Sequence, residues 1–180
     1  MKKLFSLILV LSLVFSLAAC GSKHTEPTEP STPAEPNAPV EPEKPAEPEI
    51  KSADLQAFYE STFMKEDMPM MGVMEGEMLD AFYAGLSALN LKQCIVAMPM
   101  ISAVAAEVAL VEVNDAADLA KVEEIFKARI QSQVDGGAFY PATIETWEKS
   151  SEIVVNGNTI MMICMDPKDA IVEGFNALFA

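Results

Sequence analysis

The sequence predicts an α+β fold of two layers, in which helices pack on one face of an antiparallel sheet of about four strands. Two observations lead to this prediction. Segments with apolar residues at helical spacing alternate with paired runs of Val, Ile and Met, and the last pair of runs flanks Asn156-Gly157, a typical hairpin turn. Strands that come in pairs, with helices between the pairs, favour an antiparallel sheet covered by those helices.

The domain is expected to open with a helix. Ser52 and Asp54 are suitable N-caps for it. The residues that recur behind them at helical spacing are Leu55, Phe58, Tyr59, Thr62 and Phe63. A Met-rich stretch comes next, and we predict a second, short helix over residues 77–86.

Two strands are predicted after these helices. Residues 93–98 and 103–113 are rich in Val, Ile and small side chains, and Pro99 between them indicates a turn. The run of small residues at 103–110 also fits a buried helix, because periodicity alone does not separate the two structures.

A long helix follows the first strand pair. Asn114 or Asp115 caps its start, and Gly136-Gly137 ends it. The apolar residues at helical spacing between these points are Leu119, Val122, Ile125, Phe126 and Ile130. The sequence therefore predicts an amphipathic helix that packs on the sheet.

The chain is predicted to close with a hairpin and a helix. Strands at 152–155 and 159–164 flank Asn156-Gly157, and a type I′ turn needs a positive φ at both of its central residues. Asp166-Pro167-Lys168-Asp169 then supplies an N-cap, a proline at the first helical position and an acid in the first turn. The helix that follows carries Ile171, Phe175 and Leu178 on one side.

Residues 1–19 have the layout of a secretory signal peptide. Two lysines precede an apolar run that ends in small residues and Cys20. Leu17-Ala18-Ala19-Cys20-Gly21 resembles the bacterial lipobox, which implies cleavage before Cys20 and a diacylglycerol group on its sulfur. An uncleaved membrane anchor is the alternative, but the apolar run is short for one. Two acyl chains anchor a protein stably in a membrane. Because a signal peptide directs export, we expect the protein on the extracytoplasmic face of the cell membrane.

Residues 20–51 follow as the lipidated cysteine and a low-complexity Glu-Pro linker, which we expect to be disordered. Proline restricts itself and the residue before it to extended backbone, and the glutamates repel one another. A segment of this kind reaches on the order of 90 Å. The remaining residues, 52–180, are enough for a single domain with its own core.

The chain carries 27 acidic and 12 basic side chains, which gives a net charge of −15. Proteins that bind nucleic acid or anionic lipid headgroups need Lys and Arg to neutralise phosphates. We therefore expect no nucleic-acid partner, and the acidic charge is typical of a soluble surface.

Residues 52–180 contain no histidine, because the single histidine of the chain, His24, lies in the linker. The commonest general base and the commonest zinc ligand are thus missing from the domain, and we predict no catalytic residues and no cofactor. Cys94 and Cys164 have apolar neighbours in sequence, which favours buried, inert thiols. A single disulfide between them is the alternative.

The Met-rich stretch at 64–78 has two interpretations. Thioethers bind Cu(I), so Met68, Met70, Met71 and Met74 are candidate ligands for a soft metal in an exported protein. Methionine also fills irregular cores and lines adaptable partner surfaces, and the stretch has no His or Cys nearby. Packing or a partner surface is the favoured interpretation.

A carbohydrate-binding module is a further alternative. Trp147 and Tyr140-Pro141 are candidates to line a sugar groove, and Glu145 and Glu148 flank the tryptophan. A core aromatic is the ordinary explanation of Trp147. Glu107 also stands out because its neighbours are apolar, and a half-exposed strand position explains it.

Several short motifs carry a resemblance that covers residues 55–179. They are Tyr83, Met98-Pro99-Met100, Ala106-Glu107-Val108-Ala109, Val113-Asn114-Asp115, Arg129, Tyr140-Pro141, Asn156-Gly157-Asn158 and Phe175-Asn176. Together they resemble an uncharacterised family of Gram-positive lipoproteins that is described only as a domain of unknown function. The motifs mark turns and packing positions, so the resemblance supports the domain limits and implies no activity or ligand.

The sequence therefore leads to a non-enzymatic, membrane-anchored lipoprotein that binds an envelope protein or a cell-wall component. A Cu(I)-binding protein and a carbohydrate-binding module are the two alternatives.

Overall fold

The computed structural model describes residues 51–180. The predicted signal peptide, Cys20 and the Glu-Pro linker lie outside these residues, apart from Lys51. The five helices within them are α1 (Leu55–Phe63), α2 (Gly76–Phe82), α3 (Leu119–Ser132), α4 (Pro141–Ser150) and α5 (Lys168–Ala177). The five strands are β1 (Met71–Val73), β2 (Leu91–Pro99), β3 (Glu107–Val113), β4 (Ser151–Asn156) and β5 (Thr159–Cys164). Over residues 51–180, every helix falls short of the length and apolar character needed to cross a bilayer.

The strands form one antiparallel sheet in the order β1-β2-β3-β5-β4, which confirms the predicted α+β class. The sheet has one strand more than the predicted four. The additional strand, β1, lies inside the Met-rich stretch and pairs with the end of β2, Met71 opposite Pro99 and Val73 opposite Ala97. Three residues are too few to show a strand period in the sequence.

Helices cover both faces of the sheet, so the prediction of a single covered face is wrong. Strands β3 and β5 are buried along their whole length, and a strand with two apolar faces needs a cover on each. Helices α1 and α5 pack on one face, against Ile95, Ala97, Val108, Leu110, Met161 and Ile163. Helices α3 and α4 pack on the other face, against Val96, Ala109, Val111, Val113, Ile160 and Met162.

The predicted cap at Asp54 is confirmed, whereas Asp115 caps a short 3₁₀ turn and Asp118 holds the N-cap position of α3 itself. The Asp54 carboxylate accepts a hydrogen bond from the backbone N–H of Ala57 at the start of α1. Asp115 does the same for Ala117 in a short 3₁₀ turn that leads into α3. These bonds satisfy backbone donors that a helix start leaves without partners.

Helix α4 is absent from the predicted order of elements. Only two of its ten residues, Thr143 and Trp147, are buried, so its apolar stripe is too narrow to stand out in the sequence. Pro141 occupies the first turn of this helix, where a missing N–H has no consequence. In the first predicted strand pair, β3 is shorter than expected because it begins only at Glu107, whereas β2 is longer and covers residues 91–99.

The predicted hairpin of β4 and β5 is confirmed, but its turn lies one residue later than expected. Asn156 pairs with Thr159, so the central turn residues are Gly157 and Asn158, and Gly157 has a φ of 56°. Helix α5 starts at Lys168 with Pro167 as its N-cap. Asp166 is therefore not the cap, and the proline precedes the first helical position.

Candidate functional site

Strand β3 carries two buried carboxylates on opposite faces of the sheet. Glu107 begins the strand on the α3–α4 face, and Glu112 lies near its end on the α1–α5 face. Burying an ionised carboxylate is strongly unfavourable unless it is paired and hydrogen-bonded, so each one needs charged partners. The prediction of a half-exposed position for Glu107 is wrong, because only 1% of the residue is exposed.

Glu107 is held by Arg129 of α3 and by Tyr83, which follows α2. The Arg129 guanidinium donates from Nε to Oε1 at 2.8 Å and from Nη2 to Oε2 at 2.7 Å. The Tyr83 hydroxyl also donates to Oε1. A bidentate pair of this kind fixes both planar groups in one orientation.

The guanidinium of Arg129 lies between aromatic rings. Its central carbon is 5.1 Å from the ring centre of Phe82, 5.8 Å from that of Tyr83 and 5.5 Å from that of Trp147. These distances are within the range of cation–π attraction. Burial would lower the pKa of Arg129, but the neighbouring Glu107 outweighs it and raises that pKa. Burial and the Glu107 charge both raise the pKa of Tyr83 well above its usual value, so the phenol stays protonated.

This ion pair lies at the wall of a cavity of about 210 Å³, which we call the Arg129 cavity. It is enclosed by the end of α2, the β2–β3 loop, α3, α4 and the loop before α4. Phe139, one of its lining residues, is 81% exposed, so the cavity reaches the surface there. The other residues that line it are Phe82, Met98, Pro99, Ser102, Val104, Ala105, Ala106, Glu107, Arg129, Gln133, Gly137, Ala138, Thr143 and Trp147.

Two glycines shape the turn that brings Phe139 to the cavity. Residues Gln133–Gly137 form a π-helical turn after α3, and Gly136 has a φ of 117°, which favours glycine. A β-carbon on Gly137 would lie 2.6 Å from the Ser132 carbonyl oxygen, so no larger residue fits there without a backbone shift. The predicted end of the long helix at Gly136-Gly137 is thus confirmed.

A wider groove of about 550 Å³ lies beside the Arg129 cavity. Phe82 and Arg129 line both spaces. The half-exposed Phe82 ends helix α2, which has no buried residue of its own.

Glu112 is part of a second polar cluster, at the start of the domain. Its carboxylate accepts hydrogen bonds from Ser52 at 3.0 Å, Lys92 at 3.0 Å and Gln93 at 2.5 Å. Burial alone would raise the pKa of Glu112, but these donors outweigh it and lower that pKa. Gln93 also bonds the backbone of Ala53 and Leu55, so the cluster fixes the segment where the linker joins the domain.

The four candidate copper ligands do not all lie at one place, because Met74 is on the other face of the sheet from Met68 and Met71. Met68 and Met71 pack against the α1–α5 core, whereas Met74 packs against the core on the opposite face of the sheet. Met70 is 81% exposed. Three of the four, Met68, Met70 and Met71, line an open groove of about 610 Å³ beside α1. Among residues 51–180, no group of three or more His, Cys, Asp or Glu side chains is placed to hold a metal ion.

The candidate sugar-binding residues also face different ways. Trp147 is only 3% exposed and packs on Arg129. Glu145 is exposed and pairs with Lys149 one helical turn away, and Glu148 is exposed as well. The tryptophan therefore contributes to the wall of the Arg129 cavity, without a carboxylate from its own helix beside it.

The two cysteines of the domain are free thiols. Cys94 lies opposite Val111 and Cys164 opposite Glu107, four residues apart along β3, which is too far for a disulfide. Cys164 is buried, and burial raises its pKa to about 12. Cys94 is exposed, in contrast to its expected burial.

The sequence analysis does not predict a site role for Arg129, although the sequence contains a signal for it. It lies three residues after Phe126 and seven after Val122, which places it on the buried stripe of α3. An arginine on such a stripe requires a buried anion, and Glu107 is an acid between apolar strand residues.

A sequence model of DUF4358, a domain of unknown function, matches residues 64–165, more than half of the chain. The chain belongs to the DUF4358 family. The resemblance to an uncharacterised domain family is thereby confirmed. The DUF4358 match contains the whole sheet and every residue that lines the Arg129 cavity, whereas α1 and α5 lie outside it. No curated protein and no solved structure matches the chain.

Proposed function

We propose that this DUF4358 protein is a non-enzymatic binding module, lipid-anchored through Cys20 on the extracytoplasmic face of the cell membrane. We further propose that the Arg129 cavity is where it binds another component of the cell envelope. The observation that carries this is the exposed Phe139 at the mouth of a cavity whose wall holds a buried, hydrogen-bonded ion pair. Large exposed apolar side chains around a concavity are typical of interaction sites.

The chemistry of the cavity supports binding over catalysis. Glu107 is the one acid among the residues that line it, and both of its oxygens already accept hydrogen bonds. A general base needs a free lone pair within reach of a substrate proton. Arg129 and Tyr83 take three of the about four acceptor positions of the Glu107 carboxylate, which favours a role in orienting the guanidinium.

Photo-crosslinking in cells tests the binding proposal. Phe139 is replaced by benzoylphenylalanine, which keeps the phenyl ring at the mouth of the cavity. The matched control carries the same group at Val155, an exposed apolar residue of β4 that does not line the cavity. A discrete cross-linked envelope component from position 139 alone is expected, and no product, or equal products from both positions, would refute the proposal.

Cell fractionation tests the proposed address separately. The chain is expected in the membrane fraction and to incorporate labelled palmitate, and Cys20→Ser is expected to abolish the label and release the chain from the membrane. If the Cys20→Ser variant lost the palmitate label but stayed in the membrane fraction, lipid anchoring at Cys20 would be refuted.

A further inference from the structure

We infer that the occupant of the Arg129 cavity is a segment of a basic protein partner. An apolar side chain of that segment enters the cavity, and an uncharged carbonyl oxygen beside it accepts a hydrogen bond from Arg129. This inference rests on the proposed binding function and adds the chemical class of the ligand.

The guanidinium supplies the hydrogen-bond donor. Arginine has five N–H groups, and two of those on Arg129 are donated to Glu107. The Tyr83 hydroxyl is a further hydrogen-bond neighbour of the guanidinium. Because the Arg129 side chain also lines the cavity, we infer that an N–H group not used by these two neighbours meets an acceptor inside. The aromatic rings of Phe82 and Trp147 hold the guanidinium in place, so it loses little freedom on binding.

Charge selects an uncharged acceptor. Glu107 already neutralises Arg129, so a second carboxylate would enter the cavity without a counter-charge and beside an existing anion. The net charge of −15 on the chain also repels anions during approach and attracts basic partners. A carbonyl oxygen of an amide meets the guanidinium without this penalty.

Size and surroundings indicate a protein as the partner. The cavity of about 210 Å³ is smaller than the roughly 300–1,000 Å³ of typical small-molecule sites, so it suits one part of a larger ligand. At its mouth, the rings of Phe139 and the half-exposed Tyr140 meet edge to face, with 5.3 Å between the ring centres. Met100 and Ile101, both about two thirds exposed, lie between the lining residues Pro99 and Ser102 in the chain. An apolar surface around a central pocket is the usual arrangement of a protein-binding hot spot.

A pair of small probes tests the ligand chemistry on the full chain. N-acetyl-phenylalaninamide carries a phenyl ring and uncharged carbonyls, whereas N-acetyl-phenylalanine differs in its terminal carboxylate. Binding is followed by the NMR signals of the Trp147 indole N–H and the Arg129 Nε–H. We expect saturable shifts with the amide and at least tenfold weaker binding of the carboxylate. Equal binding of both probes, or no shift with the amide at 20 mM, would overturn the inference.

Ser102→Trp provides the matching variant. Ser102 is exposed at the cavity, so the large side chain blocks the entrance without entering the core, while Val155→Ser serves as the remote control. The amide is expected to lose its binding to Ser102→Trp and to keep it with the control. Retained binding to Ser102→Trp would place the probe elsewhere and overturn the inference.

The cross-linking experiment separates this inference from the proposed function. Mass spectrometry of the product from position 139 is expected to identify peptides of a second, basic protein. A glycan or lipid in that product would overturn the inference and leave the binding function intact. No cross-linked product from position 139 would refute both the inference and the proposed binding function.

Discussion

Glu107→Gln tests whether the buried ion pair acts as one unit. The substitution keeps the shape of the side chain but leaves the Arg129 charge, 6% exposed, without its counter-ion. Removing one partner of a buried pair lowers the free energy of unfolding by about 3–5 kcal/mol. Domains of this size have total stabilities of about 5–15 kcal/mol, so the loss is a large fraction of the whole.

The expected loss converts into a large thermal shift. For a domain of about 130 residues, each kcal/mol lowers Tm by roughly 4 °C, so Glu107→Gln is expected to lower it by about 12–20 °C. Trp147 is the single tryptophan of the chain and contacts Arg129, so its fluorescence reports unfolding in urea at the site itself.

A double-mutant cycle distinguishes the pair from its separate parts. Arg129→Met leaves the carboxylate unpaired and is expected to destabilise the fold about as much as Glu107→Gln. The double variant carries no buried charge, so its loss is expected to be several kcal/mol smaller than the sum of the two. Glu145→Gln, which breaks an exposed pair with Lys149, is the matched control and is expected to leave the unfolding midpoint unchanged.

Two results would refute this reasoning. The first is a decrease in the free energy of unfolding of less than about 1 kcal/mol for Glu107→Gln, because a decrease that small is typical of a surface salt bridge and not of a buried one. The second is a double variant whose loss of unfolding free energy equals the sum of the two single losses within about 0.5 kcal/mol, which would mean that Glu107 and Arg129 do not stabilise each other.

Three further predictions concern single side chains. Tyr83→Phe removes a hydroxyl donor to the buried carboxylate and is expected to lower the free energy of unfolding by about 1.5–3 kcal/mol in the same urea assay; no change would mean that this bond contributes nothing. Gly157→Ala places a β-carbon on a residue with a φ of 56° and is expected to destabilise the hairpin by about 1–2 kcal/mol, whereas an unchanged stability would contradict the turn geometry. Glu112 has a lowered pKa in the folded state, so its contribution to stability is present above its unfolded pKa and is lost as the pH falls through the lower folded pKa. Glu112→Gln is therefore expected to be less stable than the wild type at pH 7 and to approach it below pH 4; a constant difference across this range would exclude the carboxylate as the cause.

The local features of the fold were predicted from the sequence because they depend on neighbouring residues. Asp54 and Asp115 cap helices through backbone groups two or three residues away. The β4–β5 hairpin is similarly local, although its turn is centred one residue later, because Gly157 rather than Asn156 takes the first positive φ. The family resemblance was carried by the same local turn and packing motifs.

The site itself was only partly predictable. Glu107 and Trp147 stand out in the sequence by residue type, and the core position expected for Trp147 is confirmed. The burial of Glu107 and the contact of both residues with Arg129 were not predicted. Arg129 and Glu107 are 22 residues apart in the chain. They meet because α3 packs on the same face of the sheet as the side chain of Glu107, the first residue of β3. The methionines show the opposite case. Their closeness in sequence suggests one site, but Met71 in β1 and Met74 just after it pack on opposite faces of the sheet.

The sequence by itself determined the α+β class, the antiparallel hairpin and the family, and it is the sole basis for the predicted signal peptide, lipid anchor at Cys20 and linker. The tertiary structure decided that both faces of the sheet are covered and that a buried ion pair forms the wall of a cavity. The physical reason is that caps, turns and periodicity depend on a few neighbouring residues. The partner of a buried charge depends instead on which distant elements pack together, and a linear pattern does not contain that information.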